Sequence, residues 1–293
     1  MLKNKNDIRS VAFMLIISVS FYLLWNYGST IPLWAYIPAY AGYMVMAVTV
    51  SVMAHNHNHV NMWKNNLMNI FQDNWLTVFY GFPVFAWIPT HNTNHHTHVN
   101  TKEDYTKTWR YSEKNNLLTL LTYPSVSTKF QMGVVWDYYK ATYNVSKKKF
   151  WLNTLQFLVL VTWIAAFAIL DWRKAIAYVI IPQQFSTFSV LIFNYLQHVH
   201  GDEEHEYNNS RNFTGKMVNF ILLNNGIHLA HHKHPSQHWS ELPEAHKAIE
   251  SNIDPSLNEK SFWGYLFRTY IFSIFVPSLR SKSMRVARIN SES

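Results

Sequence analysis

Four uncharged apolar runs constrain the fold of this chain more than any other feature of its sequence. Each run is about as long as a helix must be to cross the hydrocarbon core of a bilayer. Because lipid offers no partner to backbone N–H and C=O groups, runs of this kind fold as α-helices. The sequence therefore predicts an all-α integral membrane protein with four transmembrane helices. The predicted spans are residues 11–27, 33–54, 150–170 and 175–197.

Two short turns join these runs into two predicted hairpins. Residues 28–32 separate the first pair of runs, and residues 171–174 separate the second pair. With four spans, both turns lie on one side of the membrane, and residues 55–149 and 198–293 lie on the other. The basic N-terminus, the lysines at 147–149 and the basic tail fall on that second side, which the positive-inside rule assigns to the cytoplasm. We expect a single membrane-bound domain over residues 1–293, with a His-rich cytoplasmic cap.

The start of the chain and the segments between the spans carry further predictions. The first run could belong to a signal peptide, but it is long and no small-x-small cleavage site follows it, which favours a retained helix. Residues 76–89 are too short to span and predict a re-entrant or interfacial segment. Residues 117–136 and 262–276 predict interfacial helices, and residues 280–293 predict a loosely ordered tail.

Composition narrows the function classes. The chain has no cysteine, which excludes disulfides, thiolate metal sites and a cysteine nucleophile. Its formal charge is +8, but it has no Lys/Arg-rich recognition element, so a membrane surface explains the charge better than nucleic acid does. We expect a multi-pass protein of the bacterial inner membrane, or of the endoplasmic reticulum membrane in a eukaryote, with its histidine groups on the cytoplasmic side.

Four spaced groups contain nine of the 16 histidines. Residues three or four positions apart share one face of a helix, so each group directs its ring nitrogens towards one point. The neutral imidazole is the commonest metal ligand among side chains. Nine imidazoles are too many for one metal ion and about right for two. The groups are His55 with His59, His91 with His95 and His96, Asn194 with His198, and His228 with His231 and His232.

The donor types indicate which metal these groups hold. A zinc site needs only three or four ligands, and copper sites often include sulfur, which no cysteine supplies here. Soluble di-iron bundles use Glu together with Glu-x-x-His pairs, whereas none of the four groups contains a carboxylate. Because imidazole suits iron, the count favours two iron ions in an imidazole-rich site.

The four groups resemble the histidine boxes of the membrane fatty acid desaturase superfamily. Its His-x(3–4)-His, His-x(2–3)-His-His and late His-x(2–3)-His-His signatures match residues 55–59, 91–96 and 228–232. Its additional histidine, with an Asn one turn earlier, matches His198 and Asn194. The resemblance implies that Asn194 holds a metal-bound water in the second coordination sphere. It also implies nine iron ligands, which are His55, His59, His91, His95, His96, His198, His228, His231 and His232.

Seven histidines stay outside this expected ligand set. His57 lies between His55 and His59, and on a helix its side chain points to the opposite side. His200 and His205 follow the last span in a loop that could fold back towards the site. The other four are His98, His234, His238 and His246.

The resemblance implies an O2-dependent oxidoreductase that introduces a double bond into a fatty acyl chain. The chain has no haem-binding His-Pro-Gly-Gly segment and no Gly-x-Gly-x-x-Gly, so a separate ferredoxin or cytochrome b5 type protein would supply the electrons. Residues 79–87 could form a wall of the acyl tunnel or anchor the chain at the membrane interface. Two alternatives stay open: hydroxylation or ketolation of a lipid, alkane or carotenoid at the same site, and a non-enzymatic metal transporter or sensor.

Overall fold

The computed structural model describes all residues from 1 to 293, and nearly all of its secondary structure is helical. The all-α prediction is therefore confirmed in its main point, with one small parallel sheet added. The strands are β1 (Asn212–Phe213) and β2 (Asn258–Glu259). The α-helices are α1 (Ile8–Tyr27), α2 (Leu33–His59), α3 (Asn66–Tyr80), α4 (His96–His98), α5 (Leu117–Val145), α6 (Lys147–Ala175), α7 (Ile181–His198), α8 (Lys216–Ile221), α9 (His228–Lys233), α10 (Leu242–Ile249), α11 (Phe262–Leu266) and α12 (Met284–Glu292).

Three helical stretches are long and apolar enough to cross a membrane. They are Lys5–Tyr27, Leu33–His59 and Lys147–His198. The first two contain the predicted spans 11–27 and 33–54, and the third contains both of the other predicted spans. The structure thus shows three candidate stretches where the sequence predicts four helices.

The third stretch is interrupted at Asp171. This residue has φ −163° and ψ 101°, which is extended rather than helical backbone. Its Oδ1 accepts hydrogen bonds from the backbone N–H groups of Arg173 (3.0 Å) and Lys174 (3.2 Å). An aspartate that binds the second and third N–H groups after it is an N-cap, so a new helix begins here.

Glutamines on the two sides of this break contact the same end of α3. The Oε1 of Gln156 accepts a hydrogen bond from the Thr77 hydroxyl at 3.4 Å. The Nε2 of Gln183 donates to the backbone oxygen of Val78 at 2.7 Å. Both amides lie inside apolar runs, where an unpaired polar group is costly, so these bonds satisfy them.

Aromatic side chains fill the centre of a first compact unit, which comprises residues 1–88 and 135–190. Phe21 of α1 lies 6.2 Å from Phe79 and 5.4 Å from Trp163, measured between ring centroids. Tilted and edge-to-face aromatic pairs of this kind add to the stabilisation from burial. Other large apolar side chains of the same helices are exposed, as contact with lipid requires. Examples are Leu15, Val19, Leu158, Val161 and Ile169.

Gly81 allows this unit to close at the end of α3. Its φ of +86° lies in the left-handed region, which favours glycine. A Cβ at this position would lie 2.4 Å from the Cβ of Gln183. Both the backbone conformation and the close approach of the neighbouring helix therefore require glycine. The predicted re-entrant or interfacial segment 76–89 consists of the end of α3, this turn and a short 3-10 helix at Val84–Ala86.

A second compact unit comprises residues 89–134 and 191–293. It carries most of the grouped histidines, on short helices and loops. The helix α9 is held by Leu229, which is fully buried against Ile253 and Leu257. The predicted interfacial segment 262–276 is α11 followed by one π-helical turn and one 3-10 turn rather than a single helix.

The prediction of a loosely ordered basic tail is wrong, because the tail contains α12. Arg285 forms ion pairs with Glu113 (2.7 Å) and Glu203 (2.8 Å), and Arg288 pairs with Asp202 (2.9 Å). These partners lie far away in the sequence, so the composition of the tail alone could not reveal them. The helix is thereby attached to the loop that follows His198.

Candidate metal centre

Four histidines of the second unit bring their Nε2 atoms together. The Nε2 of His198 lies 3.1 Å from that of His95, 2.8 Å from that of His228 and 3.2 Å from that of His232. His228 and His232 approach each other to 3.0 Å. The ligand atoms of these four residues all lie within 4.8 Å of one another, and we call them the four-histidine cluster.

A second group in the same unit consists of His91, His96 and His231. The Nε2 atoms of His91 and His96 are 3.1 Å apart. The His231 ring lies 4.7 Å from that of His96 and 6.0 Å from that of His91, between centroids. We call this set the three-histidine group.

Helix type decides how the two His-His pairs are divided between these sets. Ile88–His95 is a π-helix, in which backbone hydrogen bonds reach five residues along the chain, and the Nε2 of His91 approaches that of His96, five residues on. The ring of His91 also stacks on that of His95, with 5.2 Å between centroids, but the Nε2 of His95 approaches that of His198. The late box lies on the α-helix α9, where His228 faces His232, four residues on. His95, the middle histidine of the earlier box, therefore lies with His228 and His232. His231, the middle histidine of the late box, lies with His91 and His96.

His55 and His59 lie in the first unit, one turn apart at the end of α2. Their ring centroids are 4.9 Å apart. Trp87 stacks on His55 with 5.3 Å between centroids and 27° between planes. The helical spacing predicted for this pair is therefore present.

Hydrogen bonds to the outer ring nitrogens fix the orientation of two histidines of the four-histidine cluster. The Nδ1 of His95 lies 2.7 Å from Oδ2 of Asp104 and 2.9 Å from the Thr106 hydroxyl. The Nδ1 of His198 lies 3.2 Å from the backbone oxygen of Asn209. Partners of this kind hold a histidine in one tautomer and direct its other nitrogen to the metal. The sequence did not predict a role for Asp104, because its distance along the chain from the histidines does not distinguish it from the exposed Glu103 beside it.

Two lone pairs face each other in the four-histidine cluster. A carbonyl oxygen only accepts, so Nδ1 of His198 carries the proton that faces Asn209. The carboxylate of Asp104 likewise accepts a hydrogen bond, so Nδ1 of His95 carries a proton as well. In neutral rings both Nε2 atoms are then unprotonated, although they are only 3.1 Å apart. A metal cation between them satisfies both lone pairs, so the donor set fits a metal ion.

The charges of the surrounding groups agree with this fit. Burial raises the pKa of Asp104, but His95 and the N–H groups of Thr106 and Asn100 outweigh it and hold this pKa below its usual range. Burial and the neighbouring imidazoles lower the pKa of His232 well below its usual value. A neutral imidazole with an available lone pair is the form that binds a metal.

Asn194 lies on α7, one turn before His198. Its Nδ2 donates a hydrogen bond to the hydroxyl of Tyr123 at 2.7 Å. Tyr123 is fully buried, and its hydroxyl in turn donates to the backbone oxygen of Thr106. The amide is therefore fixed close to the loop that carries Asp104, and its water-holding role stays a prediction.

Three histidines outside the expected ligand set hold backbone or loop segments. The Nδ1 of His57 accepts from the N–H of Met62 at 3.2 Å. The Nε2 of His200 donates to the backbone oxygen of Glu113 at 2.9 Å. The Nδ1 of His205 accepts from a backbone N–H two residues further on.

Comparison with known families agrees with the geometry. The family model described as fatty acid desaturase matches residues 7–263, which is most of the chain. A search of curated proteins gave no match. The family comprises lipid-acting oxidoreductases that use O2. The apolar helices of this chain point to a membrane protein, and its grouped histidines could hold a metal centre. The chain therefore belongs to the fatty acid desaturase family.

Proposed function

We propose that this protein is an O2-dependent fatty acyl desaturase with a di-iron centre held by histidines. The observation that carries the proposal is the pair of lone pairs that His95 and His198 direct at each other from a buried site. The four-histidine cluster would hold one iron. The three-histidine group would contribute ligands to the second, and the resemblance to the histidine boxes implies His55 and His59 as further iron ligands. That assignment uses all nine histidines of the expected ligand set.

We also propose that the stretch Lys147–His198 crosses the membrane twice. In one straight helix, Gln156 and Gln183 would be about 40 Å apart at 1.5 Å per residue. Both instead contact adjacent residues of α3, which supports a reversal at the capped break. Together with α1 and α2, this gives four spans, with the histidines on the cytoplasmic side of the bacterial inner membrane.

Bound iron would supply the oxidant that removes two neighbouring hydrogens from the acyl chain, with electrons and protons completing the reduction of O2 to water. The residues of the chain hold and orient this centre. Asp104 keeps the proton of His95 on Nδ1, and Asn209 does the same for His198. The burial of the four-histidine cluster restricts access of bulk water, which protects the reaction from side products.

A narrow pocket in the first unit is a candidate site for the acyl tail. Its volume is about 10 Å³, roughly one water molecule, so the surrounding helices would have to separate to admit a tail, and it is lined by side chains of α1, α2, α3 and the stretch beyond Asp171. Phe79 and Trp163 form part of its wall, whereas Phe85 is buried against Tyr138 and Tyr139. Of the aromatic segment 79–87, Phe79 is therefore the better candidate for a tunnel wall.

A separate ferredoxin or cytochrome b5 type protein would supply the electrons. The lysines at 147–149 are exposed at the start of α6, and an acidic donor protein could dock there. The same lysines would also attract anionic lipid headgroups.

The test is a lipid profile of a host with and without the protein, combined with its iron content. Acyl products that have lost two hydrogens support a desaturase, whereas products that have gained an oxygen atom identify a hydroxylase. His95→Ala is expected to abolish the product and lower the iron content. His57→Ala is the matched control, because the Nδ1 of His57 accepts a hydrogen bond from the backbone N–H of Met62, just after α2. Full activity of His95→Ala would contradict the proposal.

A further inference from the structure

We infer that Asp104 is a positioning residue of the four-histidine cluster, and that it acts through His95. The inference rests on the proposed metal centre and adds a residue that the histidine boxes do not contain. Asp104 is fully buried, with 0% of its surface exposed. Its Oδ2 lies 2.7 Å from Nδ1 of His95.

The carboxylate is itself held from several directions. The backbone N–H of Asn100 donates to Oδ2 at 2.7 Å. The backbone N–H and the hydroxyl of Thr106 donate to Oδ1 at 2.7 Å and 2.8 Å. Both oxygens are therefore fixed before any metal binds, and Oδ2 keeps its direction towards His95. A fully buried charge is costly unless it is paired and hydrogen-bonded. The three donors from Asn100 and Thr106 offset this cost for the carboxylate of Asp104.

This arrangement has a specific effect on metal binding. The carboxylate can only accept, so it keeps the proton of His95 on Nδ1 and leaves the Nε2 lone pair directed at His198. It also places a negative charge beside a site for a cation and increases the basicity of the ring. An asparagine at position 104 would lack the charge, and its NH2 group could donate to Nδ1 and favour the wrong tautomer.

A second Asp–His pair of the chain provides a matched control. Asp73 Oδ1 lies 3.4 Å from Nε2 of His57, a histidine outside the proposed ligand set. Asp73→Asn therefore removes a carboxylate from a buried histidine without changing a partner of the four-histidine cluster. Comparison of the two variants separates an effect on metal binding from the general loss of an Asp–His pair.

The experiment is an anaerobic titration of the purified, metal-free protein with Fe²⁺ against a competing chelator. Asp104→Asn is expected to weaken one of two iron positions by about 10–100-fold and to leave the other near its wild-type affinity. Asp73→Asn is expected to retain both affinities. The melting temperature of each metal-free protein is measured in parallel, because a merely structural role would lower it and weaken both positions together.

The outcomes distinguish the inference from the proposed function. If the wild-type protein binds no iron, the proposed function fails and the inference falls with it. If the wild type binds iron and a folded Asp104→Asn binds it equally well at both positions, or weakens both positions to the same extent, the inference alone is overturned. Should Asp104→Asn fail to fold, Thr106→Val removes only the hydroxyl that contacts both Asp104 and His95. This variant is expected to weaken the same position by about 2–10-fold, and unchanged affinity would overturn the inference.

Discussion

At the scale of single residues, spacing would group His95 with His91 and His96, and His231 with His228 and His232. The structure instead places His95 with His228 and His232, and His231 with His91 and His96. Sequence spacing identified the histidines that converge in the second unit, because residues three or four positions apart share one face of a helix. It could not say which histidine joins which set. That division accompanies a π-helical turn at Ile88–His95, which the spacing of the histidines did not predict.

The pKa of His232 leads to a prediction for the metal-free protein. Burial and the neighbouring imidazoles hold this pKa well below its usual value of 6.5. In the unfolded chain the ring takes up a proton near that value, so the unfolded state binds more protons below it. The free energy of unfolding of the metal-free protein should therefore fall as the pH drops below about 6.5.

Thermal denaturation of metal-free protein between about pH 7.5 and about pH 5.5 measures this effect. His232→Gln is the control, since it removes the titrating ring and should reduce the slope. Equal slopes for the variant and the wild type would show that His232 does not contribute.

At the scale of elements, the end of α3 depends on Gly81. Gly81→Ala should lower the free energy of unfolding by about 2–4 kcal/mol, from backbone strain at positive φ and overlap with Gln183. Gly42→Ala is the matched control, because nothing lies within 4 Å of a Cβ there and alanine favours the helix. Thermal unfolding in detergent compares the two, and equal melting temperatures would refute the close packing of this turn.

The helix α12 provides a second prediction at this scale. Arg285→Gln should lower the free energy of unfolding by about 1–2 kcal/mol, because Arg285 bridges Glu113 and the nearly buried Glu203. Lys102→Gln should have no measurable effect, since Lys102 and its partner Glu103 are both exposed. High salt should reduce the difference between Arg285→Gln and the wild type. A difference that salt does not change would argue against an ion-pair origin.

Hydropathy predicted where the apolar helices lie, but not the contacts that their polar residues form. Apolar runs are a property of composition, so the apolar stretches could be located from the sequence, although the structure has three candidate stretches where four spans were predicted. The partners of Gln156 and Gln183, and the carboxylates that hold the tail, lie far away in the chain. Their contacts form only when the chain is folded, and local composition does not record them.

At the scale of the whole molecule, topology is the main prediction. Because the chain has no cysteine, single cysteines can be introduced without removing others. Four spans predict that Ser29→Cys and Trp172→Cys react with a membrane-impermeant thiol reagent from one side, and Lys148→Cys and Lys282→Cys from the other. Labelling of intact cells and of inverted vesicles measures the two sides. Lys148→Cys and Lys282→Cys on opposite sides would show that the third stretch crosses once.

The family and the class of fold could be recognised from the sequence because both depend on spacing and hydropathy, which a linear pattern records. The organisation of the molecule into compact units could not. The expectation of a single domain over residues 1–293 stays a prediction, beside the two units into which the residues cluster.

The box at residues 91–96 is one residue longer than the box at residues 228–232. In each box, the Nε2 atoms of the first and last histidines nevertheless lie about 3 Å apart. The longer box achieves this on a π-helix and the shorter one on an α-helix. A change of helical pitch thus absorbs a one-residue insertion. An alignment of such boxes should therefore be anchored on their first and last histidines, with the gap placed between the first histidine and the adjacent pair. Deleting one residue between His91 and His95 is expected to convert this turn to an α-helix and to retain iron binding, which a metal titration of the variant measures.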